Sequence, residues 1–405
     1  MQPVGLRPAS TLEFGIYRDG DNNLDESQAQ GLLQARQVSK SNHNIQFTVE
    51  DTTSREGVEP EGHMRTESYT IQDGHVANLS VSRSENMASE SNLANFVART
   101  LNNAEAAHAK STWIELSDHG AGDGGGLEAD SAHGIMSMPN IARAIADGVK
   151  IHALQHPEDA ERKVDGVAAN QCLMATLGFE DALSKAGVHY LAASPETMLS
   201  PGVPSAIAGA ICDNADDEKA MARAVVDTTM QTKYGDETGH YTPAAAFDVL
   251  DVSTDKMTAV TSSVTDLNAA LTQAARKPSV RSFLREDARA VPGMTRFPDS
   301  AGLPWHADRP AIALYETFAS DGRLDGALRR LAGNAANAVK TTVLAHCEAD
   351  TFGPFNGASY SDAAGPTVHF PVNARQVDPW APNVSETNND FYKTVGSDAL
   401  SKVLA

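Results

Sequence analysis

Two segments of this chain each end an apolar-rich run in a residue that can do covalent chemistry. Residues 113–118 lead into His119 and Gly120, and residues 164–169 come shortly before Cys172. A cysteine thiolate attacks carbonyl carbons well, and an imidazole can take the thiol proton and later protonate a leaving amine. The pair predicts nucleophilic catalysis by Cys172, with His119 as the general base.

Both residues stand where buried strands are predicted to end. In parallel α/β sheets, catalytic and ligand-binding residues lie at the carboxyl ends of the strands, which share one edge. We therefore expect the two strands to belong to one sheet and to bring His119 and Cys172 together. Gly120 allows close approach of the backbone, so the amide groups of Gly120 and Cys172 are the candidate oxyanion hole.

Each candidate also has a purely structural interpretation. A cysteine taken alone is most often a buried, inert core residue, and the presence of 13 histidines makes any single one a weak signal. Cys212 and Cys347 have no matching partner, and His133 follows no strand-like run. Asp118 is a candidate for orienting His119, with a solvated loop acid as the alternative.

Several further motifs, in the same order along the chain, resemble those of the clostripain-like cysteine peptidases, which are relatives of caspases, gingipains and separase. The matching segments are 14–24 with its Asp-Asn-Asn-Leu turn, 86–98, the His119-Gly120 pair, Cys172, 190–197 with its Ser-x-Glu exit, and 365–371. They span nearly the whole chain. The resemblance implies a cysteine endopeptidase that acts on a protein or peptide substrate through a thioester acyl-enzyme.

The fold expected from the pattern and the resemblance is α/β, a caspase-like three-layer sandwich. It has a mostly parallel central sheet with helices on both faces. A soft boundary near residue 250 separates a peptidase core, 1–250, from a helix-rich C-terminal region, 251–405, that packs on it. Asp73-Gly74 between alternating residues predicts a hairpin turn, and apolar periodicity predicts one helix over 324–345.

The resemblance also implies a pocket for the residue before the scissile bond, P1. Relatives carry an aspartate two residues before the cysteine, at the floor of a pocket for arginine or lysine, whereas this chain has Asn170, which supplies no full charge. Ser194 and Glu196 match the Ser-x-Glu motif, and Glu196 would supply a carboxylate, while Met198 replaces a further acidic position. Cleavage after Arg or Lys is the first expectation, and a pocket for a smaller, polar or apolar residue stays open.

Two regulatory features follow from the resemblance as expectations. Relatives often cut themselves between the His and Cys halves, and the candidate residues for self-cleavage here are Lys150, Arg162 and Lys163. Some relatives depend on calcium, and the acidic loop offers Asp123, Glu128 and Asp130. These carboxylates lack the ligand spacing of an EF-hand, so we favour a solvated loop, no required cofactor and no metal site.

Bulk composition disfavours two other classes of protein. The 405-residue chain has a net charge of −21 and a pI near 4.9, which disfavours a nucleic-acid partner. No run approaches the roughly 18 apolar residues of a membrane span.

Three cysteines without a paired pattern suit a reducing compartment, and residues 1–8 lack the apolar core of a signal peptide. We therefore expect a cytoplasmic monomer, with a secreted or periplasmic protein as the alternative if a leader was removed.

Two rival functions stay open. The Asp-to-Asn change at Asn170 makes a catalytically silent caspase-like binding module credible, and chemical labelling of Cys172 would distinguish it from an enzyme. A different α/β hydrolase or transferase is disfavoured, because the sequence has neither a Gly-x-Ser-x-Gly elbow nor a Walker-type phosphate loop.

Overall fold

The computed structural model describes residues 12–53, 65–83, 85–128, 135–236, 239–291, 308–349, 364–372 and 390–404. The strands are β1 (Leu12–Gly20), β2 (Ile45–Thr53), β3 (Arg65–Gln72), β4 (His75–Arg83), β5 (Ser111–Ser117), β6 (Gly126–Glu128), β7 (Ile135–Met136), β8 (Gly166–Asn170), β9 (Tyr190–Ala193), β10 (Tyr234–Asp236), β11 (Gly239–Tyr241), β12 (Ala246–Asp251), β13 (Asp308–Pro310), β14 (Val343–Glu348) and β15 (Thr367–His369). The helices are α1 (Asp25–Ser41), α2 (Glu90–Ala106), α3 (Met138–Gln155), α4 (Leu177–Lys185), α5 (Ile207–Asp213), α6 (Glu218–Gln231), α7 (Thr254–Ala274), α8 (Pro278–Ala290), α9 (Ala311–Ser320), α10 (Gly326–Lys340), α11 (Asp390–Thr394) and α12 (Ser397–Leu404). Short 3₁₀ turns lie at Gly122–Gly124 and Pro157–Asp159.

One large sheet organises the molecule. Within the described ranges its strand order is β14-β12-β9-β8-β5-β1-β2-β3-β4. The central strands β9, β8, β5, β1 and β2 pair in parallel, and antiparallel strands flank them on both sides. The Asp73-Gly74 turn joins β3 to β4, and both residues have positive φ (54° and 77°), as the sequence predicts. The mostly parallel sheet is confirmed.

Alternating side chains on the buried strands build a separate core on each face of the sheet. On β5, Ile114 and Leu116 pack in one core with α2, α3, α4 and α7. Trp113 points the other way, into a core shared with α1, α5 and α6. Burying each such large apolar side chain contributes about 1.5–3 kcal/mol, so both faces need a helical layer. The three-layer arrangement expected from the sequence is confirmed.

The alignment of β5 with β8 depends on a large residue opposite a small one. Trp113 is paired with Gly166, and a Cβ on Gly166 would lie 2.5 Å from the indole ring. The same ring stacks on Tyr190 of β9, with 5.8 Å between centroids and 4° between planes. Because Trp113 faces Gly166, Ser117 faces Asn170 at the carboxyl ends of the two strands. The residues that follow β5 and β8 therefore leave the sheet side by side.

The C-terminal part of the chain contributes to the sheet as well as to the helical layer. The helix predicted over 324–345 is too long, since α10 ends at Lys340 and β14 begins at Val343. β14 pairs with β12 and covers what would otherwise be an open sheet edge. Leu314 and Leu328 join the same core as Ile114. The boundary near residue 250 stays a prediction. Among the described helices, none is both long and apolar enough to cross a bilayer.

Candidate active site

His119 and Cys172 each lie two residues beyond the end of adjacent parallel strands, β5 and β8. Their backbones touch: a Cβ on Gly120 would lie 2.2 Å from the carbonyl oxygen of Cys172 and 2.9 Å from its amide nitrogen. The side-chain amide of Gln171 also donates to the carbonyl oxygen of His119 at 3.0 Å. The two segments thus form one surface, and glycine at position 120 is required for their approach.

A buried carboxylate fixes the loop that carries His119. Asp118 accepts hydrogen bonds from the amide groups of His119 and Glu128, both at 2.5 Å, and from Nδ2 of Asn22 at 2.6 Å. Burial raises the pKa of Asp118 to about 7, although these hydrogen bonds act to lower it. The sequence predicts that Asp118 orients the imidazole, but its contact in the structure is with the main chain of His119.

The imidazole of His119 is contacted by Asn23 instead. Nε2 of His119 lies 2.8 Å from Oδ1 of Asn23. Asn22 and Asn23 follow β1, which is the neighbour of β5 on the side away from β8. Sequence reasoning assigned no role to either asparagine. The signal that could have found them is their place just after a parallel strand, since strand ends share one edge.

The thiol of Cys172 is half-buried and bonded to the main chain. Its Sγ accepts a hydrogen bond from the amide of Met198 at 3.3 Å and lies 3.6 Å from the Met198 carbonyl oxygen. Burial raises the pKa of the thiol, the Met198 amide lowers it, and the carboxylate of Glu196 raises it. The next residue, Leu173, has φ +66°, an uncommon conformation for a branched residue that occurs at functional sites. These surroundings do not favour the thiolate, so a nucleophilic Cys172 needs a base.

Asn170 belongs to the packing below this surface. Its Nδ2 lies near three acceptors, which are Oε1 of Glu115 (3.1 Å), Oγ of Ser117 (3.0 Å) and the carbonyl oxygen of Pro201 (3.2 Å). Its Oδ1 accepts from the amide of Val203 at 2.8 Å. Burial raises the pKa of Glu115 to about 7, and the Asn170 hydrogen bond lowers it. Asn170 therefore ties β5 to the loop 199–203.

Ser194 and Glu196 form a buried turn beside the sulfur. Oγ of Ser194 donates to the carbonyl oxygen of Glu196 at 2.9 Å and accepts from its amide at 3.0 Å. The same carbonyl accepts from the amide of Leu173 at 3.0 Å. Glu196 is only 3% exposed, and its charge acts on the pKa of Cys172. Of the expected P1-pocket residues, Glu196 is the one whose charge reaches the thiol, while Ser194 shapes the turn.

The loop after His119 is attached to the C-terminal region. The carboxylate of Asp123 accepts a hydrogen bond from the hydroxyl of Tyr392, and a second carboxylate and an imidazole, Asp308 and His369, lie close by. Burial and then the charge of Asp308 raise the pKa of Asp123 to about 7. Asp130 lies outside the described residues, and the expectation of a solvated loop without a metal site stays a prediction.

The three candidate self-cleavage residues differ in backbone structure. Lys150 lies inside α3, whereas Arg162 and Lys163 lie in the irregular stretch that leads to β8. Arg162 donates to the carbonyl oxygen of Ala109 at 2.8 Å, and Nζ of Lys163 lies 2.7 Å from Nε2 of His189. A protease binds extended backbone, so this arrangement favours the latter two residues over Lys150.

The chain is an α/β sandwich with a cysteine and a histidine at adjoining strand ends. This defines a class of protein, the α/β sandwiches that carry a thiol and an imidazole at the carboxyl ends of neighbouring strands. Within that class, the family model of the clostripain family matches residues 16–400. The chain therefore belongs to the clostripain family and is a cysteine-type peptidase, whose substrates are proteins or peptides. No curated protein sequence matches it.

Three solved structures to which the chain is similar come from Bacteroides thetaiotaomicron and Parabacteroides distasonis. The chain is similar to a secreted C11 cysteine protease from Bacteroides thetaiotaomicron in complex with an irreversible peptide inhibitor, with a TM-score of 0.63, 12% identity and coverage of 96% of this chain and 99% of that one. It is also similar to an inactive zymogen C11 protease from Parabacteroides distasonis, with a TM-score of 0.62, 14% identity and the same coverages. A third structure, the secreted C11 protease iotapain from Bacteroides thetaiotaomicron, has a TM-score of 0.59, 13% identity and coverage of 96% and 100%.

The cytoplasmic location expected from the sequence is wrong in the light of these comparisons. Two of the similar structures are described as secreted proteases, which points to secretion rather than the cytoplasm. The expectation depended on the unpaired cysteines and on residues 1–8. The unpaired cysteines are not informative, since a nucleophilic thiol must stay unpaired in any compartment.

Proposed function

We propose that the protein is an endopeptidase in which Cys172 is the nucleophile and His119 the general base and acid. The observation that carries this proposal is the β5–β8 register, which sets the His119 and Cys172 segments against each other with no room for a side chain at Gly120.

The reaction has two halves. His119 takes the proton from Cys172, and the thiolate attacks the carbonyl carbon of the scissile bond. The amide groups of Gly120 and Cys172 hydrogen-bond the oxyanion. The C–N bond breaks as His119 protonates the amine, which leaves a thioester on the sulfur. Water, deprotonated by His119, then attacks the thioester, and the carboxylic acid leaves as the thiol is restored.

Asn23 is the proposed positioning residue for His119. When Oδ1 of Asn23 accepts from Nε2–H, the neutral imidazole carries its proton on Nε2 and keeps the lone pair on Nδ1. Nδ1 is then the atom that exchanges a proton with Cys172. Asp118 holds the loop and so places the ring, without touching it.

The substrate preference that we propose is arginine or lysine at P1, with Glu196 as the recognising acid. The support is the hydrogen bond from the amide of Leu173, next to Cys172, to the carbonyl oxygen of Glu196 at 3.0 Å, together with the effect of the Glu196 charge on the pKa of Cys172. Asn170 contributes indirectly, since its amide group is bonded to Glu115, Ser117 and the loop 199–203.

A peptide library with every residue at P1, incubated with wild type and Cys172→Ala, tests activity and preference together. We expect cleavage after Arg or Lys by wild type alone, and labelling of Cys172 by iodoacetamide in intact protein. Labelling and cleavage that are both absent would instead support a catalytically silent binding module. Cleavage after neutral residues would contradict the role of Glu196 but leave the catalytic pair intact.

Self-cleavage at Arg162 or Lys163 is proposed from the same preference. Wild type should run as two fragments on a denaturing gel, and Cys172→Ala as one intact chain. The double variant Arg162→Gln, Lys163→Gln should also stay intact yet still hydrolyse peptides. A single intact band for active wild type would exclude self-cleavage.

A further inference from the structure

A second cluster of chemistry-bearing side chains lies at the opposite edge of the sheet from Cys172. Glu105 lies in the last turn of α2, and His152 and His156 lie one turn apart at the end of α3, before the chain enters β8. Glu105, His152 and His156 each place a ligand atom within 4.8 Å of the others. The carboxylate of Asp159, in the following 3₁₀ turn, lies 3.4 Å from Nε2 of His152.

The imidazole of His152 is oriented as a ligand. Its ring is 0% exposed, and its Nδ1 lies 2.7 Å from Oδ1 of Asn102. The Nδ2 group of Asn102 donates to Gln155 at 2.8 Å, which fixes the amide so that its oxygen faces the imidazole. Nδ1 of His152 therefore carries a proton in the neutral ring, and the lone pair on Nε2 is directed into the cluster.

The lone pair on Nε2 of His152 is buried, and among the described residues no donor forms a hydrogen bond to it. The carboxylate oxygen of Asp159, 3.4 Å away, is itself an acceptor. Two acceptors that face each other repel unless a cation or a proton lies between them, and here the ring of His152 is buried while the side chain of Asp159 is 28% exposed. An orphaned imidazole nitrogen on a fully buried ring is the observation that separates this cluster from an ordinary group of surface acids.

The charge around the site is negative. His156 contacts Glu105 through Nδ1 and lies 3.8 Å from Glu158, and Asp159 is paired with Arg162. With both imidazoles neutral, three carboxylates face one guanidinium, so a divalent cation would balance the site. The two imidazoles stack with 5.0 Å between centroids and 18° between planes, so both rings face the same side of α3.

We propose that Glu105, His152, His156 and Asp159 form a zinc site. Two imidazoles and two carboxylates suit zinc and similar late first-row ions, whereas calcium and magnesium prefer sites made of oxygen alone. Ligands around a tetrahedral zinc stand roughly 3.4 Å apart, so the side chains need to close in by about 1 Å. Asn102 is the outer partner that fixes the His152 tautomer.

The site would tie together the connection between the His and Cys halves of the chain. It joins the end of α2 to the end of α3 and to the turn Pro157–Asp159, which directly precedes Arg162 and Lys163. Zinc should therefore protect this connection from proteolysis. This consequence holds for an added protease, so it does not depend on the proposed catalytic activity.

The test uses full-length Cys172→Ala protein, so that the catalytic thiol cannot bind the metal. After removal of metals with a chelator, zinc is titrated against a chromogenic chelator, and bound zinc is counted by mass spectrometry. The variants are His156→Gln and Glu105→Gln, both on half-buried side chains, and Asn102→Ala. The matched controls are His369→Gln, from the cluster around Asp123, and the exposed His43→Gln.

We expect one tight zinc per chain in the parent and in both controls. His156→Gln and Glu105→Gln should weaken this binding by roughly 100-fold or more, and Asn102→Ala by about 10–100-fold through the outer contact. Zinc should slow tryptic cleavage after Arg162 and Lys163 in the parent but not in His156→Gln. Equal zinc affinity in His156→Gln and the parent, or loss of the tight site in His369→Gln alone, would overturn the proposal.

Discussion

The His119 end of β5 and the Cys172 end of β8 are neighbours in one sheet, yet different kinds of contact hold them in place. At the His119 end the contacts are polar side chains, with Asp118 on the loop and Asn23 on the ring. At the Cys172 end the sulfur contacts main-chain atoms of Met198, and the turn depends on backbone packing.

The difference indicates that the base and the nucleophile need different kinds of positioning. A general base must keep one tautomer and one orientation, which hydrogen bonds to side chains provide. A nucleophile must present one atom at a fixed point, which a tight main-chain turn provides. Substitutions of polar side chains should therefore affect the rate at the His119 end and the stability of the fold at the Cys172 end.

The largest effect is expected from removing the base. His119→Ala should lower kcat/KM by roughly 10²–10⁴-fold, because the thiol of Cys172 has a raised pKa and needs a base to become a thiolate. The measurement is hydrolysis of a fluorogenic peptide at fixed pH. His43→Ala, at an exposed histidine paired with Asp73, is the control. Activity retained within a few-fold would exclude His119 as the base.

Asn170→Asp tests how strongly the stability of the fold depends on polar side chains at the Cys172 end. The new carboxylate would face Oε1 of Glu115, 3.1 Å from the present amide nitrogen, and the amide hydrogen bonds to Ser117 and Pro201 would be lost. We expect a loss of about 3 kcal/mol in the free energy of unfolding at pH 8, measured by urea denaturation.

Glu115→Gln and Asn170→Asp together form a double-mutant cycle. In the Glu115→Gln background, Asn170→Asp should cost clearly less, since the facing charge is gone. An equal cost in both backgrounds would mean that charge repulsion is not the cause.

The buried Glu115 should also make stability depend on pH. Its pKa is raised from the ordinary value to about 7, so the folded protein holds this proton more tightly than the unfolded chain does. Its contribution is fully present below about pH 4.5 and is lost as the pH rises to 7, at about 1 kcal/mol per pH unit. Between pH 5 and 7, the unfolding free energy of Glu115→Gln should fall less steeply than that of wild type. Parallel profiles would show that Glu115 is not protonated in the folded state.

Asn23→Ala tests the orientation of the imidazole at the His119 end. We expect kcat to fall about tenfold with little change in KM, since the ring loses its fixed tautomer but the substrate contacts remain. Asn23→Asp should recover part of the loss, because a carboxylate can accept the same bond. A fall in Asn23→Ala that Asn23→Asp does not restore would argue for a structural role.

The smallest effect concerns the thiol itself. Glu196 raises the pKa of Cys172, so Glu196→Gln should lower that pKa. The measurement is the pH dependence of Cys172 alkylation by iodoacetamide, which needs no substrate. Glu316→Gln, at an exposed acid paired with Lys340, should leave the profile unchanged. A shift to higher pH in Glu196→Gln would contradict the proposed effect of its charge.

Residue patterns in the sequence predicted the parts of the fold that depend on local structure. The apolar runs before His119 and Cys172 indicated β5 and β8, and Asp73-Gly74 indicated the hairpin, because strand alternation and turn geometry are properties of a few neighbouring residues. The helix predicted over 324–345 was too long because the pairing of β14 with β12 is a contact between distant segments. Sheet pairing commonly overrides local periodicity in this way.

The sequence by itself therefore determined that a thiol and an imidazole follow buried strands, and its motif order matched the family that the chain belongs to. Only the tertiary structure decided which side chains surround them. Asn23 contacts His119 from the turn after a third strand, β1. Asn170 lies in a buried network with Glu115, and His152 lies near Glu105, which is on another helix. Each of these contacts joins residues that lie far apart along the chain, and only packing around the sheet brings them together.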